Sequence, residues 1–352
     1  MSGAARPKMR AAVMRNKALV VDEVPVPEPG PGEVLAKTLA CGICGSDLHA
    51  LKHAERFAAA YRRADGTSIL DLTRDIVMGH EFCAEIVAYG PHTDRRLAVG
   101  TRVCSLPVLL RPDGRQTIGY SNEHPGGYAE YMRLTESLLL PVPDGVSTEH
   151  AALTEPMAVG IHAVNKARLA PDEGALVLGC GPVGLAVIAA LRLASVRPIV
   201  AADFSPRRRA LAQAMGADVV VDPGVEVPIE RWREAAGSRQ VVIFECVGVP
   251  GLIGQAMAAA PRGTRIVIVG VCMEPDTIQP MTGISKELSL QFVLGYEPDE
   301  FTAALRHIAA GTIAAAELVT GRVGIDGVAQ AFQDLASPER HAKIMVEPGR
   351  AG

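Results

Sequence analysis

Leu176-Val177-Leu178-Gly179-Cys180-Gly181-Pro182-Val183-Gly184, with Asp203 nineteen positions beyond the last glycine, decides how this chain folds. The apolar run from Ala175 to Leu178 reads as a buried strand, and Leu185 to Ala194 reads as an alanine-rich helix. Between them the glycines match Gly-x-Gly-x-x-Gly. The first allows a tight turn, the second lets a pyrophosphate approach the backbone, and the third lets helix and strand pack closely. Free N–H groups at the helix start then hold the anion. A second apolar run, Pro198 to Ala202, delivers Asp203 at its carboxyl end, where a carboxylate accepts from a ribose diol and repels a 2′-phosphate. The stretch therefore predicts a dinucleotide site, with Gly179, Gly181, Pro182, Val183, Gly184 and Asp203 as its parts and NAD preferred over NADP. Arg207, Arg208 and Arg209 follow closely. An arginine there, Arg208 for example, is a second candidate for the cofactor. The alternative is a solvated first helical turn opened by Ser205-Pro206 as cap and first residue, which is the reading favoured.

The surroundings agree with an ordinary α/β protein. At 352 residues the chain has room for two domains, and 48% hydrophobic with 21% charged residues is a globular balance. A net charge of −4 supplies no basic field, so nucleic acid is not an expected partner. There is no apolar run of about 20 residues and no charged-then-apolar leader pattern, so a cytoplasmic protein without a membrane partner is expected. The seven cysteines are scattered and odd in number, which argues for reduced thiols, some of them metal-bound.

In chain order, Met9 to Val24 reads as a strand pair, and Pro25 to Gly32 as a stiff connection. Glu33 to Ala40 reads as a strand running into Cys41-Gly-Ile-Cys44-Gly-Ser46-Asp47-Leu-His49. Met78-Gly79-His80-Glu81 forms a second cluster, and Thr148 to Arg168 looks helical, placing a domain boundary there. Beyond Ala175, strand and helix patterns alternate: Val241 to Val247 and Arg265 to Val271 as strands, Gly251 to Ala260 as a helix between them. That alternation signals a doubly wound parallel sheet, and the strand ends Val247, Gly270 and Val271 would line the cofactor. The tail carries helical stretches at Phe301 to Ala310 and Val328 to Leu335, then a strand at Ala342 to Val346.

Cys41-x-x-Cys44 has three readings. It could be half a zinc ribbon, but a second Cys-x-x-Cys is absent from the sequence; it could be a redox pair, but lacks a thioredoxin-like context. Or one cysteine joins distant ligands, with His80, Glu81 and Glu155 as candidates. Cysteine, histidine and carboxylate together suit catalytic zinc with one open position.

On these residues the chain resembles the zinc-dependent medium-chain dehydrogenase/reductase family, the alcohol dehydrogenase group. Gly42-Ile43-Cys44-Gly45-Ser46-Asp47 and Gly79-His80-Glu81 are similar to its zinc motifs. Glu155-Pro-Met-Ala-Val-Gly-Ile-His-Ala163 is similar to the sorbitol and threonine dehydrogenase branch. The resemblance implies a GroES-like, mostly β catalytic domain from residues 1–154 and 297–352, with a Rossmann NAD-binding domain at 155–296 inserted. It implies Cys44 and His80 as zinc ligands with Glu81 or Glu155 as the carboxylate, and leaves that choice open. It also implies Asp47 as the acceptor that orients His80, Ser46 as the hydroxyl that takes the substrate proton, and His49 as the imidazole that passes it to water. Lys343 would neutralise Glu81 or the cofactor pyrophosphate. The implied chemistry is hydride transfer between a small secondary alcohol or polyol and NAD, with zinc as Lewis acid.

Two features depart from the family. The segment after Val103 holds Cys104 but not the usual four clustered cysteines, so one zinc is expected and no structural zinc. The spacing from Cys44 to His80 is long, and residues 51–75 include a helical stretch, Leu51 to Ala64, with a turn at Ala64-Asp-Gly-Thr. This is either a solvated insertion or a cap over the substrate mouth. The runner-up function is a zinc-free, NADPH-dependent quinone or enone reductase; the third is a non-catalytic dinucleotide-binding partner protein. A homodimer or homotetramer is expected, pairing through Leu288 to Leu294.

Overall fold

The computed structural model describes residues 6–62 and 70–350, and its backbone forms two compact units. One consists of Met1–Glu155, Val319–Ser337 and Lys343–Gly352, and the other of Pro156–Leu318 and Pro338–Ala342. The first unit is thus built from both chain ends, but its second part begins at Val319 instead of the expected 297. The reason lies in helix Pro298–Ala309. Its Phe301, Leu305 and Ile308 are buried, and its Glu300 accepts from Asn165 Nδ2 at 2.7 Å and pairs with His162 Nδ1 at 2.7 Å. Those partners belong to the second unit, so the helix stays with it.

The first unit is mostly β. Strands Lys8–Arg15 and Ala18–Pro25 form the hairpin expected of the alternating amino-terminal stretch. Its main sheet has seven strands. Six run in the order Val319–Val323, Lys343–Val346, Glu33–Gly42, Glu81–Tyr89, Arg102–Ser105, Leu139–Pro141, and Tyr131–Thr135 also pairs with Glu33–Gly42. Two registers bring distant side chains to one place: Gly42 lies opposite Glu81, and Met345 lies opposite Gly42. The carboxyl-terminal strand therefore closes over the same strand end that delivers Cys44. The segment after Cys104 forms a small hairpin, Val108–Arg111 with Gly114–Thr117. Cys104 itself is fully buried and its thiol donates to the Ala151 carbonyl at 3.1 Å.

The second unit is a six-stranded parallel sheet. Its order is Val219–Val221, Ile199–Ala202, Glu173–Leu178, Gln240–Glu245, Arg265–Ile268, Ser289–Phe292. Numbered in chain order that is 3-2-1-4-5-6, the doubly wound arrangement whose ligand crevice opens where the order reverses. The reversal falls between Glu173–Leu178 and Gln240–Glu245, at the mouth of the glycine-rich turn. Strands buried on both faces must be apolar throughout, which is why Val-Val-Ile-Phe and Arg-Ile-Val-Ile carry so little alternation. One face packs Leu176, Val200, Ile243 and Ile266 against Trp232 and Met257. Each such side chain contributes about 1.5–3 kcal/mol on full burial. The fold is therefore a mostly β unit with a doubly wound parallel-sheet unit, the α/β architecture that the sequence predicts.

Candidate active site

Cys44 leaves strand Glu33–Gly42 in extended backbone (φ −89°, ψ 154°) and caps helix Gly45–Lys52. The Asp47 carboxylate reaches back to the Cys44 N–H at 3.0 Å, a capping box that ties the two residues together. The sequence pattern predicts a helix from Leu51 onward, but the helix already starts at Gly45. Ser46, Asp47 and His49 thus stand on the first two turns of one helix.

Asp47 is fully buried and heavily bonded. Tyr120 donates to its Oδ1 at 2.7 Å and Tyr128 to its Oδ2 at 2.7 Å. His80 Nδ1 lies 3.5 Å from Oδ1, too far for a good hydrogen bond, and finds no other partner. Burial works against the charge on Asp47, but His80 and the two phenols outweigh it and hold the carboxyl below its ordinary range. Burial likewise works against a charged His80, and is outweighed by Asp47 and Cys44, which hold the ring well above its ordinary value.

The ligand-type atoms of Cys44, His80 and Glu81 lie within 4.8 Å of one another, the one such group among the described residues. A thiol, an imidazole and a carboxylate, two of them buried, with a further carboxylate behind the imidazole, make a site that demands positive charge. His80 Nδ1 faces Asp47, which leaves the other ring nitrogen for a metal. The residues present fit zinc. Glu155, the second residue of helix Thr154–Ala167, is buried but stands outside this group.

Lys343 is also buried here. Its Nζ lies 2.7 Å from both oxygens of Glu81 and donates to the Ile43 carbonyl at 3.0 Å. Burial opposes its charge, but Glu81 foremost, then Cys44, hold its pKa above the ordinary value. Of the two roles expected for Lys343, it takes the one at Glu81. Cys41 is fully buried, with its thiol near the Gly42 carbonyl at 3.6 Å, and stands outside the Cys44, His80 and Glu81 group.

Ser46 and His49 are half-buried. The Ser46 hydroxyl lies 2.8 Å from the Tyr120 hydroxyl. His49 stacks on His53 at 6.2 Å, and burial, then the neighbouring His53 and Lys52, lower its pKa. The long spacing before His80 holds helix Ala54–Ala60, shorter than the predicted helix. Its Phe57 is 5% exposed and meets the Tyr120 ring edge-on at 4.8 Å. Among the segment's described residues one face, Ala54, Phe57 and Ala58, is buried while Glu55 and Arg56 face solvent. The predicted turn at Ala64-Asp-Gly-Thr lies outside the described residues.

In the second unit the glycine pattern does what its spacing requires. Gly179 has φ +93°, and a Cβ on Gly184 would sit 1.9 Å from the Gly179 carbonyl oxygen. A Cβ on Gly181 would meet nothing within 4 Å, so the space over the turn is open for a phosphate. Pro182 and Val183 open helix Pro182–Leu193, with Gly181 as its cap. The Asp203 carboxylate accepts from the Cys180 and Ser205 N–H groups, both at 2.8 Å. Ser205 caps helix Pro206–Ala214, accepting from the Arg208 N–H at 3.1 Å. Arg208 Nη1 lies 3.9 Å from Asp203, and Arg209 binds the Asp203 and Phe204 carbonyls. Arg208 and Arg209 thus lie on the first turn of this helix, both part-buried beside Asp203.

Val247, Gly270 and Val271 meet at neighbouring strand ends. The Val247 side chain lies over Gly179, and Gly270 abuts the Val247 and Gly248 N–H groups. Sequence pattern does not single out Glu245, which is 1% exposed and accepts from the Val247 and Gly248 N–H groups at 2.7 and 2.8 Å. An acid closing a buried apolar strand is its one signal. Tyr120 and Tyr128 escape sequence reading too, and no local pattern marks them.

Residues 30–144 match the alcohol dehydrogenase GroES-like domain family and residues 182–310 the zinc-binding dehydrogenase family. The chain is 33% identical to the (R,R)-butanediol dehydrogenase of Bacillus subtilis, covering 97% of this chain and 100% of that one. It is 30% identical to the sorbitol dehydrogenase of Bos taurus, covering 92% and 94%. A crystal structure of 2R,3R-butanediol dehydrogenase from Bacillus subtilis superposes with TM-score 0.82 at 31% identity, covering 97% and 100%.

Proposed function

The chain belongs to the zinc-binding, GroES-like alcohol dehydrogenase family, and we propose that it oxidises a vicinal diol or other small polyol at a secondary carbon, with NAD as hydride acceptor. It is an enzyme of the alcohol and polyol dehydrogenase kind. The observation that carries the reading is the convergence of Cys44, His80 and Glu81 within 4.8 Å.

Cys44, His80 and Glu81 would hold the zinc, which when bound supplies Lewis-acid activation of the alcohol. Lys343 balances the Glu81 charge while each carboxylate oxygen keeps a second lone pair for a ligand bond. Glu155 is then an outer carboxylate. Asp47 orients His80, Ser46 takes the substrate proton, and His49 hands it outward. The open turn over Gly181 receives the pyrophosphate and Asp203 the adenosine ribose, which supports NAD over NADP.

We further assign a homo-oligomer paired through strand Ser289–Phe292, the edge of the parallel sheet. Phe292 on it and Leu294 just beyond are 64% and 88% exposed, an apolar edge that a second copy would cover. No helix of the described residues is long and apolar enough to cross a membrane. All seven cysteines are free thiols, which supports a cytoplasmic setting.

The deciding experiment is metal analysis of dialysed wild-type, Cys44→Ser, Glu81→Gln and Glu155→Gln proteins, beside NADH formation with secondary alcohols and diols. About one zinc per chain is expected, lost in Cys44→Ser and weakened in Glu81→Gln more than in Glu155→Gln. A folded wild-type protein that binds no zinc and reduces enones with NADPH would overturn the reading.

A further inference from the structure

Tyr120 has one hydroxyl proton and two oxygens within reach, Asp47 Oδ1 at 2.7 Å and Ser46 Oγ at 2.8 Å. A carboxylate can only accept, so the phenol proton goes to Asp47. The Ser46 hydroxyl must then donate to the Tyr120 oxygen, because the remaining capacity of that oxygen is as acceptor. With its proton directed at the Tyr120 oxygen at rest, Ser46 keeps its lone pairs free to accept, and as it takes an alcohol proton it releases its own outward, so one proton arrives and one leaves. That is the polarity required of a group that takes a proton from an alcohol.

The ring that makes this arrangement is itself held. Phe57 meets it edge-on at 4.8 Å and Tyr61 at 5.6 Å, while Phe57 and Tyr61 stack on each other at 4.8 Å. The Tyr120 ring in turn lies 5.1 Å from the His80 ring. Phe57 and Tyr61 both come from the long segment between Cys44 and His80. An aromatic cluster with these centroid separations is in the range of favourable ring pairs.

We propose that Tyr120 is a positioning residue for both halves of the site: it aims Ser46 as a proton acceptor and fixes the Asp47 carboxylate, whose charge lies 3.5 Å from His80 Nδ1 and favours that ring as a metal ligand, with Phe57 and Tyr61 as its buttress. The Ser46 half rests on the dehydrogenase reading; the metal half needs only that zinc binds. Tyr120→Phe removes the hydroxyl and keeps the ring. In full-length zinc-loaded protein, competition against a chromogenic chelator should show zinc held about tenfold more weakly. With a diol and NAD, kcat should fall about tenfold with KM within about twofold, and the solvent isotope effect on kcat should rise as proton transfer becomes limiting. Ser46→Ala combined with Tyr120→Phe should cost no more in kcat than Ser46→Ala alone, because the serine is the route by which Tyr120 acts on the proton.

Wild-type zinc affinity in Tyr120→Phe, or additive losses in the double variant, would overturn the proposal. Zinc binding without NADH formation from any alcohol would sink the dehydrogenase reading instead, and the chelator competition would still decide the role of Tyr120. Should Tyr120→Phe fail to fold, Phe57→Leu keeps every polar group and loosens the ring. It should weaken zinc by about threefold, and unchanged affinity there would also count against the proposal.

Discussion

The ammonium of Lys343 lies 2.7 Å from both carboxylate oxygens of Glu81, and the two side chains are 2% and 1% exposed. A pair so fully removed from water adds little net stability, but removing one partner strands a buried charge. In metal-stripped protein, Lys343→Met should cost about 3–5 kcal/mol in urea denaturation. Adding Glu81→Gln should recover most of that loss. If the single variant unfolds at the wild-type midpoint, the pair is not holding the strand ends together.

The glycine-rich turn separates folding from binding. Gly184→Ala would force a Cβ to 1.9 Å from the Gly179 carbonyl oxygen and should destabilise the protein by more than about 2 kcal/mol. Gly181→Ala meets nothing within 4 Å and should unfold within about 1 kcal/mol of wild type. The same methyl would occupy the phosphate space, so its Kd for NAD should rise by about tenfold or more. Calorimetry for NAD binding, beside thermal melts of both variants, checks the split.

Asp203 anchors the turn through the Cys180 N–H and is also the candidate ribose acceptor. Asp203→Asn keeps an acceptor oxygen and removes the charge. The ratio of kcat/KM for NAD to that for NADP should fall by about tenfold or more, since about 1.4 kcal/mol of repulsion toward a 2′-phosphate corresponds to a factor of ten. An unchanged ratio would mean that selectivity lies elsewhere.

Glu300 sets an acid limit on stability. Burial pushes its pKa up, but the Glu297 N–H, the Asn165 amide and His162 outweigh burial and leave it below the ordinary 4.5. A carboxyl depressed in the folded state contributes in full above its unfolded pKa, and that contribution is lost as pH falls through the folded value. Between about pH 6 and about pH 3 the Tm of wild type should therefore drop more steeply than that of Glu300→Gln. Parallel curves would show that this network carries no acid sensitivity.

Much of this protein is legible from local pattern. The glycines at 179, 181 and 184 and the acid at 203 announce a strand, a phosphate turn and a helix start, because turn geometry and close backbone approach depend on residues a few positions apart. Alternating apolar runs announce the parallel sheet for the same reason. The clusters at Cys44 and His80 supply donors that in combination suit a metal, and the resemblance to a zinc-dependent family selects that reading. The helix start at Gly45 is not legible, because the capping box of Cys44 and Asp47 does not follow the usual hydroxyl-first pattern.

What only the tertiary structure decided lies in contacts between residues far apart in the chain. Lys343 and Glu81 are 262 positions apart, and Tyr120 and Asp47 are 73 apart. Both contacts come from where strands and loops are brought beside the Cys44 strand, as when Met345 falls opposite Gly42 and Gly42 opposite Glu81. Sequence by itself determined which chemical groups the chain carries and the local turns that present them. Which carboxylate faces Cys44, which lysine balances it, and which phenols grip Asp47 depend on strand order and register, and local periodicity carries no information about either.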